Sequence, residues 1–573
     1  MKELRQGIKR MLGRYPQLDR LAKLYLFRKR AHSTGHPDWS DMLSVDGEAW
    51  HDALRAGRGG PRVLLATNAG GYFTGASLES LVGVGLTLRK AEVHVSLCDA
   101  ALPACMLAHT GYFPDSSAFA KQGPRDLCGS CFAPAEKMFR SLDLPVHRLG
   151  DQLTAQDREL AASLAATTPA EAIPGFRLEG LEVGEHALAG TLRFFARADL
   201  DGEPDGEAIL RRYFQASLIT ALGTRRLVRA NGYAVAVFHH GIYVPQGIVG
   251  EVCRQEGVRV VTWNPAYRKQ SFVFSHGDSY HRTLMTEPTS AWDRLAWTPE
   301  MEADILDYLK SRWQGTEDWI WFHERPQVDV HAIAAETGVD FSKPCIGLLT
   351  NVMWDAQLHY ATNAFPSMLA WVLETIRYFA ARPELQLLIR VHPAEIRGTL
   401  PSRQPIVAEI RRAFAVLPPN VFVIPPESHI STYAAMLQCD SVIIFGTKTG
   451  VELTSMGIPV VVAGEAWIRN KGVTLDATSV PDYFRILDQL PLGCRMDAPL
   501  IERSRRYAYH WFFRRMIPLE FAEPAAGDPP FRIRVERLAH VAPGRSTGLD
   551  TICDGILQGS DFTFPAERLR QRV

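Results

Sequence analysis

Short apolar runs, each ending in a small polar loop and followed by apolar positions at helical spacing, recur along much of this chain. Residues 63–67, 93–97, 234–238 and 258–263 read as strands, with helices predicted through 78–88 and 248–256. Residues 150–230 between them look mainly helical with weaker strand signals, so 51–290 is predicted as one α/β domain carrying a helical insertion. A second series places strands at 346–349, 387–391, 421–424, 442–445 and 460–462, separated by helices at 368–380, 406–417 and 432–437. Alternation of this kind predicts a parallel sheet wrapped on both faces, here over 341–500. Residues 291–340, helical and rich in Trp and acidic groups, are expected to connect the two domains. Two such domains in tandem leave a cleft, where small ligands usually sit.

Residues 1–50 are predicted as a basic helical arm, and 501–573 as a basic, aromatic helical tail packing back across the domains. The 573 residues exceed what one hydrophobic core can organise. With 46% hydrophobic and 22% charged residues the composition excludes a disordered chain. Sixty-three basic residues balance sixty-three acidic ones, so overall charge gives no argument for nucleic acid. The distribution is uneven: residues 1–30 hold ten Lys or Arg against Glu3 and Asp19. Such an arm either lies on an anionic membrane surface or packs on the domain with a solvated charged face. No apolar run has the length to span a bilayer and no signal-peptide h-region opens the chain, so the expected location is cytoplasmic, with peripheral contact at the inner membrane through the arm.

Nine scattered cysteines fit a reducing compartment better than a disulfide framework. Cys98, Cys105, Cys128 and Cys131 cluster in the first domain and offer three readings: a structural zinc site, buried small apolar groups, or a redox-sensitive dithiol. The first pair is spaced more widely than a usual zinc knuckle, and no metal is expected to be required. The turn Asp199-Leu200-Asp201-Gly202-Glu203 lacks the glycine and bidentate glutamate of a calcium loop and reads as a solvated acidic turn.

The strongest chemical signal is Gly446-Thr447-Lys448-Thr449-Gly450, a polar loop between an apolar run and an amphipathic segment. A loop at the carboxyl end of a buried strand, opening a helix, is a natural phosphate site. Thr447 and Thr449 bring hydroxyl donors, Lys448 a charge, and the glycines permit close backbone approach, while Glu452 is placed to accept hydrogen bonds from a ribose. A second signal is Arg390-Val391-His392-Pro393-Ala394-Glu395, again past a strand. There His392 either caps the strand end or donates to, or protonates, a departing phosphate, with Arg390 or Arg397 as a further partner. Asn351 and Asp355, after the first strand of this domain, are expected to face the cleft.

His392-Pro393 after a strand, then Phe445 to Trp467, with Ser431-Thr432-Tyr433 and Ala466 to Gly472 beside them, resembles the C-terminal domain of GT-B glycosyltransferases. The segment is most similar to the capsule polysaccharide biosynthesis proteins, a family that includes capsule Kdo transferases. The resemblance is specific over about 385–475. It implies a GT-B-like α/β fold of two Rossmann-like domains with parallel sheets facing a cleft, plus the helical insertion and the basic N-terminal helix. It also implies inverting transfer from a nucleotide-sugar donor to a glycan or lipid-linked glycan of a capsule or other surface polysaccharide. His392, Thr447 and Thr449 would then meet the donor phosphate. The chain departs from the family in carrying Thr-Lys-Thr where Kdo-type loops often pair serines, which leaves the nucleotide open. A sugar-nucleotide epimerase, a phospho-alditol transferase and a non-catalytic partner in a polysaccharide-assembly complex are the alternatives on the same fold.

Inverting transfer needs a base for the acceptor hydroxyl. In a GT-B arrangement it comes from the first domain, where Asp99, His239 or His240, and then His276 and Asp278, are the candidates. No metal cofactor is implied, since loop and helix-terminus donors can stabilise phosphate charge.

Overall fold

The computed structural model describes residues 15–314, 317–319, 326–355, 358, 362–398, 400–525 and 530–570. Two sheets form its frame. In the first, β1 (Arg62–Asn68), β2 (Glu92–Leu97), β3 (Val146–Arg148), β4 (Val235–His239) and β5 (Arg259–Pro265) run parallel in the spatial order 3-2-1-4-5. An antiparallel strand, β6 (Ser271–His276), extends it beyond β5. In the second, β7 (Cys345–Leu349), β8 (Gln386–Arg390), β9 (Val421–Ile424), β10 (Ser441–Ile444), β11 (Val460–Val462) and β12 (Leu475–Asp476) are all parallel, in the order 9-8-7-10-11-12. Each order reverses once, between β1 and β4 and between β7 and β10. Such a reversal opens a crevice at the carboxyl ends of the strands, where ligands of this architecture bind. The fold is therefore the expected pair of Rossmann-like domains facing a cleft.

The uninterrupted apolar character of β4, β7 and β10, buried at every position, follows from helices covering both faces of a parallel sheet. Apolar runs predicted nine of the parallel strands to within two residues. They missed β3, whose three residues Val-His-Arg form no apolar run, the two-residue β12, and the antiparallel β6. Between β3 and β4 the insertion is built from helices Ala155–Thr167, Val183–Phe195 and Gly206–Asn231. Its weak strand signals amount to one isolated bridge, Leu178 with Leu181, among the described residues. The acidic turn there is not merely solvated: Asp199 Oδ2 accepts from Gln404 Nε2 at 2.8 Å and Glu203 pairs with Arg403 at 3.0 Å, tying the insertion to the second domain.

After residue 500 the chain returns to the first sheet. Helix Ala498–Tyr509 leads into a π-helical turn, His510–Arg515, and then β13 (Ile517–Pro518), which pairs antiparallel with β6. Leu519, Phe531, Leu549, Ile552 and Phe562 then join Leu65, Val237 and Trp263 in one core. This explains why helix Phe73–Thr87 is buried at all fifteen positions: sheet and returning tail cover it from two sides. A second core joins the domains, running from Val273 and Tyr280 through Trp292, Ile305 and Tyr308 to Val442, Val451, Trp511 and Phe512. The cleft is thus hinged along an apolar seam formed by connector and tail.

Candidate functional site

The loops after β7, β8, β10 and β11 meet at the second switch point. Asn351, just past β7, spans it: its Oδ1 accepts the Gly446 N–H at 3.3 Å. The two loops approach closely at Gly446, where a Cβ would stand 3.0 Å from the Glu465 carbonyl oxygen in the loop after β11. Thr447 Oγ1 lies 3.2 Å from Thr449 Oγ1 and accepts the Thr449 N–H at 3.4 Å. Lys448 precedes helix Thr449–Ser455, which has only seven residues. So short a helix builds little macrodipole, and the positive charge of the loop is chiefly the Lys448 ammonium.

These residues open onto a cavity of about 470 Å³ between the domains, a volume suited to a small polar ligand. Asn351, Arg390, His392, Gly446, Thr447, Lys448 and Thr449, all expected from sequence, line it, as does Asp355. Gly450 and Glu452 do not. Gly450 is buried against Ile444 and Ile468, where a Cβ would come within 2.6 Å of Ile444 Cδ1. Glu452 lies beneath the wall, with Oε1 accepting from Arg312 Nε at 3.1 Å and Lys448 Nζ at 3.0 Å, and Oε2 accepting from the Tyr433 hydroxyl. Burial pushes its carboxyl up, but Arg312, Lys448 and Tyr433 outweigh that and hold it below the usual range. Its place is to fix Lys448 and Tyr433, not to receive a ribose.

Arg390 also departs from expectation. Its guanidinium is buried and donates to the Pro425 and Ser428 carbonyl oxygens, the latter at 3.2 Å, so it shapes the loop after β9. Burial first, then Arg397, draws its pKa down to about 10. His392 Nδ1 accepts the Ala394 N–H at 3.1 Å, which leaves the proton of a neutral ring on Nε2. Burial, then Lys448 and Arg390, lower its pKa to about 4. His392 was expected to titrate near neutral pH; in this cavity it is a neutral hydrogen-bond donor.

The candidate bases of the first domain do not reach the cavity. Asp99 accepts the Gly150 N–H at 2.8 Å and fastens the turn after β3. His239 is held by Asn264 at 2.9 Å and Tyr72 at 3.2 Å. His240 stands behind the wall, its ring packed on Tyr243 and Tyr280, and burial lowers its pKa well below the ordinary value. His276 stacks on Phe562 and bonds the Ser560 carbonyl at 2.9 Å, and Asp278 lies near Arg254 and Arg282. What the first domain does present is Tyr267, Tyr280 and His281, with Trp467 of the second domain packed against all three. Tyr243, behind them, donates to Asp355 Oδ1 at 2.9 Å across the cleft.

Two further groups escaped the sequence reading. The connector helix Pro299–Gln314 brings Arg312 and Trp313 to the cavity. Arg312 pairs with Asp318 as well as Glu452, and Trp313 stacks on Tyr433 at 5.8 Å and 18°. The only hint was the Trp-rich, acidic composition of that stretch. The other group is Glu465, inside the segment that carried the family resemblance. Its Oε1 accepts from Thr362 Oγ1 at 2.7 Å, whereas Oε2 is buried with no hydrogen-bond partner among the described residues. Burial pushes this carboxyl up to about 7, against the opposing pull of Thr362, Arg282 and Arg469.

The four clustered cysteines are free thiols. Burial pushes Cys98 and Cys128 up to about 12 and raises Cys105 and Cys131 as well. Cys131 Sγ accepts the Gly71 N–H at 3.0 Å and Cys128 Sγ donates to the Pro124 carbonyl oxygen at 3.3 Å. Among the described residues no group of three or more His, Cys, Asp or Glu stands in an arrangement that could hold a metal ion. The thiols here pack as small apolar groups.

No family model matches the chain, and no curated protein does. Among solved structures it is similar to Thermosulfurimonas dismutans KpsC, beta Kdo 2,4 transferase, at 14% identity and a TM-score of 0.32, over 48% of this chain and 80% of that one. The Thermosulfurimonas dismutans KpsC, beta Kdo 2,7 transferase, gives 14% and 0.29, over 50% and 79%. The S. aureus MnaA–UDP co-structure gives 9% and 0.26, over 78% and 90%. Similarities of this order say nothing of what this chain binds or does.

Proposed function

We propose that this chain is a glycosyltransferase that moves a sugar from a nucleotide-activated donor to a glycan or lipid-linked glycan of a capsule or other surface polysaccharide. The observation that carries the reading is the convergence, on one interdomain cavity, of the Gly446–Thr449 loop, the Lys448 ammonium, the His392 Nε2–H donor and an acid–base group, Glu465. In this reading the donor phosphate lies on the loop beside Lys448, and the stacked Trp313 and Tyr433 offer an aromatic wall to the base. The acceptor hydroxyl attacks the anomeric carbon as the bond from that carbon to the phosphate oxygen breaks, giving inversion. The hydroxyl proton passes to the Glu465 carboxylate, whose pKa near 7 suits a base at neutral pH. Charge growing on the leaving phosphate is met by Lys448, the Thr447 and Thr449 hydroxyls and His392, preorganised along one wall of the cavity.

The test is incubation of purified protein with individual nucleotide-sugars, with and without a surface-polysaccharide acceptor. Acceptor-dependent release of nucleotide, abolished in Glu465→Gln and reduced in Thr447→Ala, supports the reading. Conversion of the donor without acceptor would assign the site to an epimerase instead, and no turnover of any donor would remove the catalytic reading.

A further inference from the structure

Helix Pro16–Ala31 uses one face to join the first domain. Leu24, Phe27 and Ala31 are buried with Phe73 and Phe113, and Arg20 pairs with Asp126. Its opposite face is apolar too. Leu18, Leu21, Tyr25 and Leu26, with Tyr15 at the helix entrance, are between 52% and 64% exposed. Among the described residues these are five of the twelve large apolar side chains left open to solvent, gathered on one sixteen-residue helix instead of scattered singly. At about 100° per residue, Leu18, Leu21, Tyr25 and Lys29 fall on one stripe whose centre is turned roughly 130° from that of Leu24 and Phe27. Arg28 and Lys29 are exposed at its end. Residues 1–14 add Lys2, Arg5, Lys9, Arg10 and Arg14 against Glu3.

We propose that this face docks on an anionic membrane surface, its apolar side chains entering the headgroup boundary and its cations meeting lipid phosphates. Charge selects this occupant over a second copy of the chain. Two copies joined across a two-fold axis through the same stripe would set cation against cation, whereas anionic headgroups complement them. No helix among the described residues is long and apolar enough to cross a membrane, so the contact is one of a helix lying in the plane of the surface. The inference does not depend on the transferase reading.

Sedimentation of the full chain with phosphatidylcholine vesicles, plain or containing about one third phosphatidylglycerol, tests it. Binding is expected to the anionic vesicles alone, weakening as salt is raised. The exposed-face variant Leu18→Glu/Tyr25→Glu should lose at least about tenfold in affinity, and Arg28→Gln/Lys29→Gln roughly thirtyfold. Both should melt close to the wild type, because the four side chains are exposed and the long, exposed 3.3 Å hydrogen bond from Arg28 to the Asp126 carbonyl oxygen costs little to lose. Absence of wild-type binding, or undiminished binding by both variants, overturns the proposal. So does a wild-type dimer in light scattering that Leu18→Glu/Tyr25→Glu dissociates, which would assign the face to a second copy.

Discussion

Arg312 stands where the connector, the Gly446–Thr449 loop and the domain seam meet, and its removal should be felt in all three. Its side chain is 5% exposed. Nε donates to Glu452 Oε1 at 3.1 Å, and Nη1 donates to the Tyr308 hydroxyl at 3.1 Å and pairs with Asp318. The guanidinium also rests against the Tyr267 and Phe512 rings, 5.5 and 5.3 Å from their centres. Arg312→Met keeps an apolar stem but leaves Asp318 and Glu452, 4% and 3% exposed, with Lys448 as their remaining cation. At an effective dielectric near 20 a pair about 3 Å apart is worth roughly 5 kcal/mol. Breaking a buried pair by removing one partner costs about 3–5 kcal/mol, so we expect a loss of about 4 kcal/mol at about pH 8. The loss should depend on pH. Arg312 is the largest of the groups that hold Glu452 low; without it, only Lys448 and Tyr433 oppose burial and the folded-state pKa rises. The penalty is then present above the raised folded pKa and vanishes as the carboxyl takes a proton, so it shrinks towards about pH 5. Urea unfolding of both proteins at the two pH values measures this, and Arg312→Met/Asp318→Asn should recover about 1–3 kcal/mol. A loss under about 1 kcal/mol at pH 8, or an equal loss at both pH values, refutes the reasoning.

Glu465→Gln should lower turnover by about 10²–10⁴-fold and remove the rise in rate through about pH 7 that is expected of the wild type; a retained rise would exclude Glu465 as the base. Tyr243→Phe loses the hydrogen bond to Asp355 and should cost about 1 kcal/mol, with little further loss when Asp355→Asn is added, as read by a double-mutant cycle. Glu79 is buried against Trp263, and burial raises its pKa from 4.5 to about 7. Its contribution to stability is complete below about pH 4.5 and is lost as pH rises through about 7. Glu79→Gln should therefore gain on the wild type by up to about 3 kcal/mol between those limits, seen as a flatter dependence of Tm on pH.

Much of this was legible locally. The Gly446–Gly450 loop showed itself as a cavity wall because an apolar run, two glycines and a following helix are consecutive in the chain, and His392 likewise directly follows β8. The tail was harder to read: residues 517–562 complete the core of a sheet that began at Arg62, and nothing in their composition names that sheet. Arg312, Trp313 and His281 acquire their meaning only when the domain seam brings them to loops more than a hundred residues away. Glu452 misled for the opposite reason. Its position just past the polar loop suggested a carboxylate open to a ligand, but the partners that pull it under the wall come from the connector and from the helix after β9. The first-domain bases failed likewise, since strand-end histidines there are enclosed by Tyr72, Tyr243 and Tyr280.

The donor site is tested most directly by thermal shift of the wild type and Thr447→Ala against CMP, CDP, UDP, GDP and TDP. A ligand present at about a hundred times its Kd should stabilise the fold by about 2.7 kcal/mol and raise Tm accordingly. The account predicts a clear rise with one nucleotide and its loss in Thr447→Ala, whose unliganded Tm falls only by the cost of the lost Thr447–Thr449 hydrogen bonds. No shift with any nucleotide at millimolar concentration, or an equal shift in the variant, would contradict the placement of the donor on the Gly446–Thr449 loop.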